Sequence, residues 1–477
     1  MTRDVVVIGA GISGLTAAHE LMRHGRDVVV LERQVVTGGN AVSERIGGFL
    51  MEHGPSTMNA AVPEAMEITR DLDLAASSVD LGANVRKRYL LDAGKLSGIS
   101  MHPLGVFLSG YLSLPARLSM LGEILRPRGK SPADETIHDF TRRRFGGEFA
   151  DKVMEPLAAG LFMGDSRALS VSAVFPRLVE FERKFGSVTR AVINAKRGSQ
   201  PGRRLFSWPD GIGTLPRLLA QRLGPRIRTA TTVKRITPLA SGFEVETVSS
   251  GTIRTRAVVL AVQPHVAAAL LEKVEPDTAE AAGHITAPPI GVVYLGYQRA
   301  QVSHPLDGLG FLATKDEHRV ISGAQFCSTM FEGRAPHGHV SISCYVGGAR
   351  NPEAALLPER DMVGLVHQEL SAVLGIKGPP VHSRVRHWAR GLPQYNLGHL
   401  DCRRIIESAS QRMPGLILTG NYLRGVSIAN CLAAARAVAA QAQGLLAGRV
   451  THPSGDHRSP GKALIERNLQ RIRDTAH

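Results

Sequence analysis

Val5, Val6, Val7 and Ile8 form an unbroken apolar run near the start of the chain. A β-branched run of this length predicts a strand covered on both faces, as in a parallel sheet. Apolar residues then recur at helical spacing through Leu21, and a second such run, Val28 to Leu31, ends on Glu32. Residues 60–225 pattern mostly at intervals of three and four, which predicts a helix-rich region. Strand patterns return at 243–248 and 253–260. Over 288–316 and 321–353 β-branched stretches alternate with Gly, Pro and Asp turns, the signature of an antiparallel, hairpin-rich sheet. GLILTGNYLRGVSIANCLAAARAVAAQ then predicts one last short strand, a loop holding Gly420 and Gly425, and an alanine-rich helix.

Between the first strand and helix lie Gly9, Ala10, Gly11, Ile12, Ser13 and Gly14, a G-x-G-x-x-G turn. By spacing, Gly9 makes the tight turn, Gly11 lets the backbone approach a pyrophosphate, and Gly14 allows close helix–strand packing. Glu32, closing the second strand, is placed to accept both hydroxyls of an adenine ribose, which disfavours a 2′-phosphate. The turn alone is a weak signal. Strand, turn, helix, second strand and terminal acid in register make a nucleotide site the better reading than a structural turn. A second glycine loop opening into a helix, at 420–428, raises the question of a second anionic ligand.

Composition adds limits. The 477 residues are long enough for two or three domains, and 43% apolar with 21% charged content is ordinary for a globular chain. No stretch approaches the length of a membrane-spanning helix. The first residues enter a strand directly, which leaves no room for a signal peptide. Cys327, Cys344, Cys402 and Cys431 show no metal or disulfide spacing and fit a reducing compartment, so a cytoplasmic location is expected. Lys and Arg number 57 against 42 Asp and Glu, a net +15. Basic residues are not interleaved with aromatics, so no nucleic-acid partner is expected; a generally basic surface and an anionic membrane surface remain the two readings.

Several segments together carry a family resemblance. Gly38-Gly39 soon after the ribose acid, followed by Asn40 where an arginine is usual, resembles the flavoprotein oxidase superfamily of amine oxidases, phytoene desaturases and protoporphyrinogen oxidases. EHGPSTM, with Gly54, Pro55, Ser56 and Thr57, narrows it to protoporphyrinogen oxidases. So does the arm from 131 to 178, with Arg144, Gly146, Glu155, Pro156, Gly160, Phe162, Gly164, Asp165, Leu169 and Ser170. PLDGLGF, SxxFxxRAPxG and YVGG in the sheet region match the plant type above all, and RHWARGLPQYNLGHL after it resembles a further segment of the family.

This resemblance implies an α/β fold: a Rossmann-like FAD-binding domain of amine-oxidase type, a mixed-sheet substrate domain and a helical, membrane-binding insertion. Residues 1–80, 211–275 and 396–450 would build the FAD domain, 81–210 the helical region, 276–395 the substrate sheet and 451–477 a tail. FAD would lie along the first glycine loop, Glu32-Arg33, Gly38-Gly39-Asn40, the 54–57 loop, Val233 at adenine and Trp388 near the ring. Gly420 would admit the backbone of Val426, Ser427 and Ile428 to the pyrimidine end of the flavin, so both glycine loops grip one cofactor. Gly160 would lie at the mouth of a tetrapyrrole pocket and Phe331 would stack on the macrocycle, with Leu295, Phe311 and Met330 as further pocket residues. Read without the family, Phe331 is core.

Where the family places an arginine for a substrate propionate, the match falls on Ser97, with Lys95, Arg88 or His102 as substitutes. The implied reaction is oxidation of protoporphyrinogen IX with oxygen as acceptor, with no essential acid or base assigned among the residues and no metal. The implied setting is the inner face of the cell membrane, as a homodimer and in contact with ferrochelatase. The segment 103–130, with Val106, Phe107, Leu108, Tyr111, Leu112 and Leu114 beside Arg117, Arg126, Arg128 and Lys130, reads either as an interfacial helix or as an internal helix pair. Competing functions are coproporphyrinogen III oxidation, an amine oxidase, an isoprenoid desaturase, or a flavin-binding protein without turnover.

Overall fold

The computed structural model of the chain describes residues 2–100, 105–129, 134–194, 204–315 and 319–448. His102, Lys130 and the 451–477 tail lie outside the described residues. Strand Arg3–Ile8 is central to a seven-stranded sheet, flanked in parallel by Val28–Leu31 and Thr252–Leu260. Its residues 5–8 are buried, as a strand covered on both faces must be. Thr252–Leu260 pairs antiparallel with Phe243–Thr247 over its first half and parallel with Leu416–Leu418 over its last. Helices Ile12–Arg23, Thr214–Leu223 and Ile428–Leu446 pack over one face; Ala17, Leu21, Leu219, Leu223, Ala435 and Ala439 share that core. Distant parts of the chain therefore close one nucleotide-type domain.

A second seven-stranded sheet runs His382–Trp388, Ile290–Gln298, His339–Gly347, Ile321–Gln325, Gly308–Ala313, Lys87–Asp92 and Lys95–Ser100. It is mixed: Gly308–Ala313 pairs parallel with Lys87–Asp92 and every other pair is antiparallel. The 60–225 region is thus not wholly helical. KRYLLDAGKLSGIS folds as a hairpin because Ala93 (φ +50°) and Gly94 (φ +73°) reverse the chain there.

Alternation along these strands sorts the two faces of the sheet. Tyr89, Leu91, Val293, Leu295, Tyr297, Phe311 and Ile342 form the outer face beneath helix Glu359–Leu374, against Met362, Val366 and Leu370. The inner face carries Leu90 and Leu312 in one cluster, Tyr294 in a second and Val292 in a third, and looks toward the nucleotide domain.

Between these parts lies a helical arm, 134–194, with the 105–129 segment lying against it. Its fixed point is a buried charge network. Arg144 pairs with Glu123 and approaches Glu182 at 3.3 Å. Glu123 also accepts from Ser187 Oγ at 2.5 Å and from the Val188 amide at 3.0 Å. Helix Leu114–Leu121 and the turn after it are consequently inverted. Glu123 is inside, whereas Leu114, Leu118, Leu121 and Leu125, one helical stripe, face solvent.

Candidate functional site

The first glycine turn has no room for a side chain at Gly9 or Gly14. Gly9 takes φ +103°, and a Cβ there would meet the Ala261 carbonyl oxygen. A Cβ on Gly14 would overlap the Gly9 carbonyl, which fixes how closely the helix abuts the strand. The Gly38-Gly39 pair docks on this turn: the Gly38 amide donates to Ala10 O at 2.8 Å, and a Cβ on Gly39 would lie 3.1 Å from Gly11 Cα. Among the described residues no acceptor meets the amides of Gly11 and Ser13. Free amides at a helix N-terminus are what a diphosphate needs.

Glu32 closes the neighbouring strand. Its Oε2 accepts from the Ala10 amide at 2.7 Å and its Oε1 from the Gln34 amide at 2.9 Å, which orients the carboxylate at the loop. The Glu32 and Gln34 backbones exchange hydrogen bonds with residues 228–231, which brings the segment just before Val233 alongside; Arg33 is exposed. Asn40 replaces the usual arginine without opening a gap, since its carbonyl oxygen would lie 2.8 Å from a Cβ on Gly54. The loop of Gly54, Pro55, Ser56 and Thr57 is thereby packed on the glycine pair. Ser56 Oγ donates to Gln325 Oε1 at 2.9 Å, and Trp388 Nε1 donates to His53 O at 2.8 Å, so this loop faces the inner side of the second sheet.

Beneath it, Glu52 is buried. It accepts from Ser43 Oγ at 2.5 Å and from the Ile212 amide at 2.9 Å, with Arg334 at 3.7 Å. Burial pushes its carboxyl up to about 7 against the pull of Ser43 and Arg334. Arg334 bonds Ser207 Oγ at 2.8 Å and Tyr294 donates to the Arg334 carbonyl at 3.0 Å, so the network ties the two sheets together.

The second glycine loop reaches the same region from the other side. The Thr419 amide bonds Leu260 O at 2.9 Å, next to the first turn. Ser427 caps the helix, accepting from the Asn430 amide at 3.2 Å, and among the described residues no acceptor meets the amides of Val426, Ser427 and Ile428. Gly420 (φ +155°) packs on the Tyr422 ring, while the Asn430 amide group occupies the space beside Gly425. Arg424 points away, to Glu407 at 2.7 Å. The free amides at both loops, on either side of one seam, fit a single elongated dinucleotide with a ring at the far end.

The predicted substrate residues divide. Gly160 lies on the inner face, where a Cβ would overlap Leu312, so its bareness lets the arm approach the sheet. Leu295 and Phe311 are corrected: strand alternation puts both on the outer face, under helix Glu359–Leu374. Lys95 is exposed at the far hairpin turn. Phe331 is 2% exposed and packs with Leu309 and Met330, and the Arg334 guanidinium stands 5.3 Å over its ring. Both Phe331 and Met330 are core residues here. Phe331→Ala should therefore lower Tm in a thermal melt, by a cavity cost of about 3–5 kcal/mol; a KM change with unaltered Tm would place Phe331 in an open wall instead.

Two inner-face residues complete the site. Arg88 has the parity of Leu90 and pairs in register with Ile99, so it stands on the inner face. Burial pulls its guanidinium below its ordinary value, and among the described residues no carboxylate or hydrogen-bond acceptor meets it. Tyr345 lies beside Met163, Val292 and Trp388. The signal for Tyr345 was legible: HVSISCYV alternates strictly, its apolar positions filling the outer face and its polar ones the inner.

A Rossmann-type turn with a ribose acid, a second amide-rich loop at the far end and an inner sheet wall define a flavin-dependent oxidoreductase. Comparison with known proteins agrees. The sequence profile described as flavin containing amine oxidoreductase matches residues 12–443, and the chain belongs to that family. It is 29% identical to a chloroplastic protoporphyrinogen oxidase of Nicotiana tabacum, over 93% of this chain and 86% of that one. It is 24% identical to a coproporphyrinogen III oxidase of Bacillus subtilis, over 92% and 98%. A crystal structure of an Exiguobacterium sp. 255-15 protein, proposed there to be a protoporphyrinogen oxidase, shares the fold with a TM-score of 0.80 at 23% identity, covering 92% of this chain and 98% of that one.

Proposed function

We propose that this protein is an FAD-dependent oxidase of a porphyrinogen, converting protoporphyrinogen IX to protoporphyrin IX with oxygen as electron acceptor. Bound FAD would take hydride from the substrate and return the electrons to oxygen. The chain's own contribution is placement. Gly11, Ser13 and the 426–428 amides would hold the two ends of the cofactor and Glu32 its ribose, with the Gly54–Thr57 backbone available to its ring.

The observation that carries the substrate reading is Arg88. An inner-face guanidinium, half-buried and without an internal partner, is costly unless an anion joins it. A propionate on a flat apolar ring system supplies that anion, with half-buried Tyr345 and Trp388 on the same face of the sheet offering apolar surface. Two-propionate protoporphyrinogen suits one such cation better than a four-carboxylate substrate. The test is aerobic turnover of purified protein with protoporphyrinogen and coproporphyrinogen, followed by porphyrin fluorescence. Faster turnover of coproporphyrinogen would reassign the substrate, and no fluorescence rise with either would end the reading.

We further propose peripheral attachment to an anionic membrane surface through the inverted helix. Leu118 is 67% and Leu125 86% exposed, with Leu108 and Ile193 also outward. Arg117 and Arg128 flank them. Burying leucines at about 25 cal/mol per Å² while arginines meet headgroups is the interfacial pattern. No helix among the described residues is long and apolar enough to cross a membrane. Replacing Leu118 and Leu125 by Ser should abolish co-sedimentation with phosphatidylglycerol vesicles without lowering Tm; unchanged sedimentation would contradict the attachment.

A further inference from the structure

We infer that Tyr395 is the positioning residue for the redox end of the flavin site, tying the second glycine loop to the helical arm. This rests on the flavin reading above. The Tyr395 hydroxyl donates to the Asn421 carbonyl at 2.6 Å and accepts from the Gly425 amide at 2.8 Å. One side-chain oxygen thus closes the turn that immediately precedes the free amides of Val426, Ser427 and Ile428. Gly425 holds φ +118°, a backbone conformation open to glycine, and its amide is the group the Tyr395 hydroxyl meets.

The ring is anchored elsewhere. It stacks on His399 with centroids 3.9 Å apart and planes 10° from parallel. It also shares a core with Ile137, Phe140, Leu169 and Val171 of the arm, and Val426 packs on that same core. The Tyr395 carbonyl accepts from the Ser170 amide at 2.8 Å, and the Leu397 amide donates to Ala168 O at 3.0 Å. Tyr395 therefore belongs to the arm by its ring and backbone and to the flavin loop by its hydroxyl. Burial pulls the His399 imidazole down to about 4, so the stack is between two neutral rings at any working pH. The arm thus meets the loop before the helix N-terminus through the Tyr395 hydroxyl as well as through Val426 packing, and that N-terminus favours the negative charge of reduced flavin.

Tyr422 supplies an internal control. It lies in the same loop and is fully buried, yet its hydroxyl has no hydrogen-bond partner among the described residues. Removing that oxygen deletes no bond.

The experiment compares Tyr395→Phe and Tyr422→Phe holoproteins with wild type. FAD affinity is read by flavin fluorescence and the two-electron midpoint potential by dye titration. Tyr395→Phe should bind FAD about tenfold more weakly, the order expected for leaving a half-buried amide unpaired. If the reduced flavin loses that factor relative to the oxidised one, the potential falls by about 30 mV. Tyr422→Phe should match wild type in affinity. Hydrogen exchange on the wild-type holoprotein requires no variant: the Gly425 amide should be protected although it lies in a loop. An affinity for Tyr395→Phe indistinguishable from wild type, or rapid exchange at Gly425, overturns the inference. Wild-type protein that binds no FAD would sink the flavin reading instead, so the two failures separate.

Discussion

Arg88→Ala is expected to raise KM for protoporphyrinogen by about tenfold to a hundredfold while leaving kcat nearly unchanged. A hydrogen bond to a charged group is worth about 1.5–3 kcal/mol, and an anchor remote from the reacting carbon acts in ground state and transition state alike. Arg88→Lys should recover part of the loss, since a point charge replaces a planar fork. The free protein should respond in the opposite sense. Arg88 has no internal partner and burial disfavours its charge, so removing it should leave Tm unchanged or raise it. Steady-state kinetics with a thermal melt check both. A fall in Tm with unchanged KM would mean that Arg88 supports the fold and not the substrate.

The other large effect belongs to Gly9. Gly9→Ala should yield protein that purifies without flavin absorbance. The added Cβ meets the Ala261 carbonyl oxygen, and φ of +103° is strained for any L side chain. Either the turn moves off the diphosphate position or the strands part. Gly25→Ala is the matched control: Gly25 also has positive φ, but nothing lies within 4 Å of its would-be Cβ. That variant should lose about 1 kcal/mol of stability and keep its flavin. A flavin-replete Gly9→Ala protein would contradict the assignment of this turn.

These expectations show how unevenly the site was written in the sequence. The first turn was legible because strand, glycine spacing and Glu32 obey local rules that act within about thirty residues. That 420–428 belongs beside the first turn followed in the sequence only from the family resemblance; in the fold, the long-range pairing of Leu416–Leu418 with Thr252–Leu260 brings the two loops together. The inner wall was harder. Leu295 and Phe311 are apolar residues in the expected strands, but the strands that carry them, Ile290–Gln298 and Gly308–Ala313, are buried on both faces, so hydrophobicity does not say which one faces the ligand. Parity does, once the outer helix Glu359–Leu374 is seen to claim Val293, Leu295 and Tyr297. The same parity lifts Arg88 from one of three substitutes to the cation on the inner wall and leaves Lys95 at an exposed turn. Inversion of the Leu114–Leu121 helix was not decidable from composition. It depends on Glu123 being drawn inward by Arg144, a pairing made across twenty residues.

The most direct measurement of the central claim is anaerobic mixing of the flavin-loaded protein with protoporphyrinogen, watching flavin absorbance and porphyrin fluorescence together. The flavin should bleach as fluorescence rises, and its colour should return when oxygen is admitted. Flavin that stays oxidised in the presence of both protoporphyrinogen and coproporphyrinogen would contradict it.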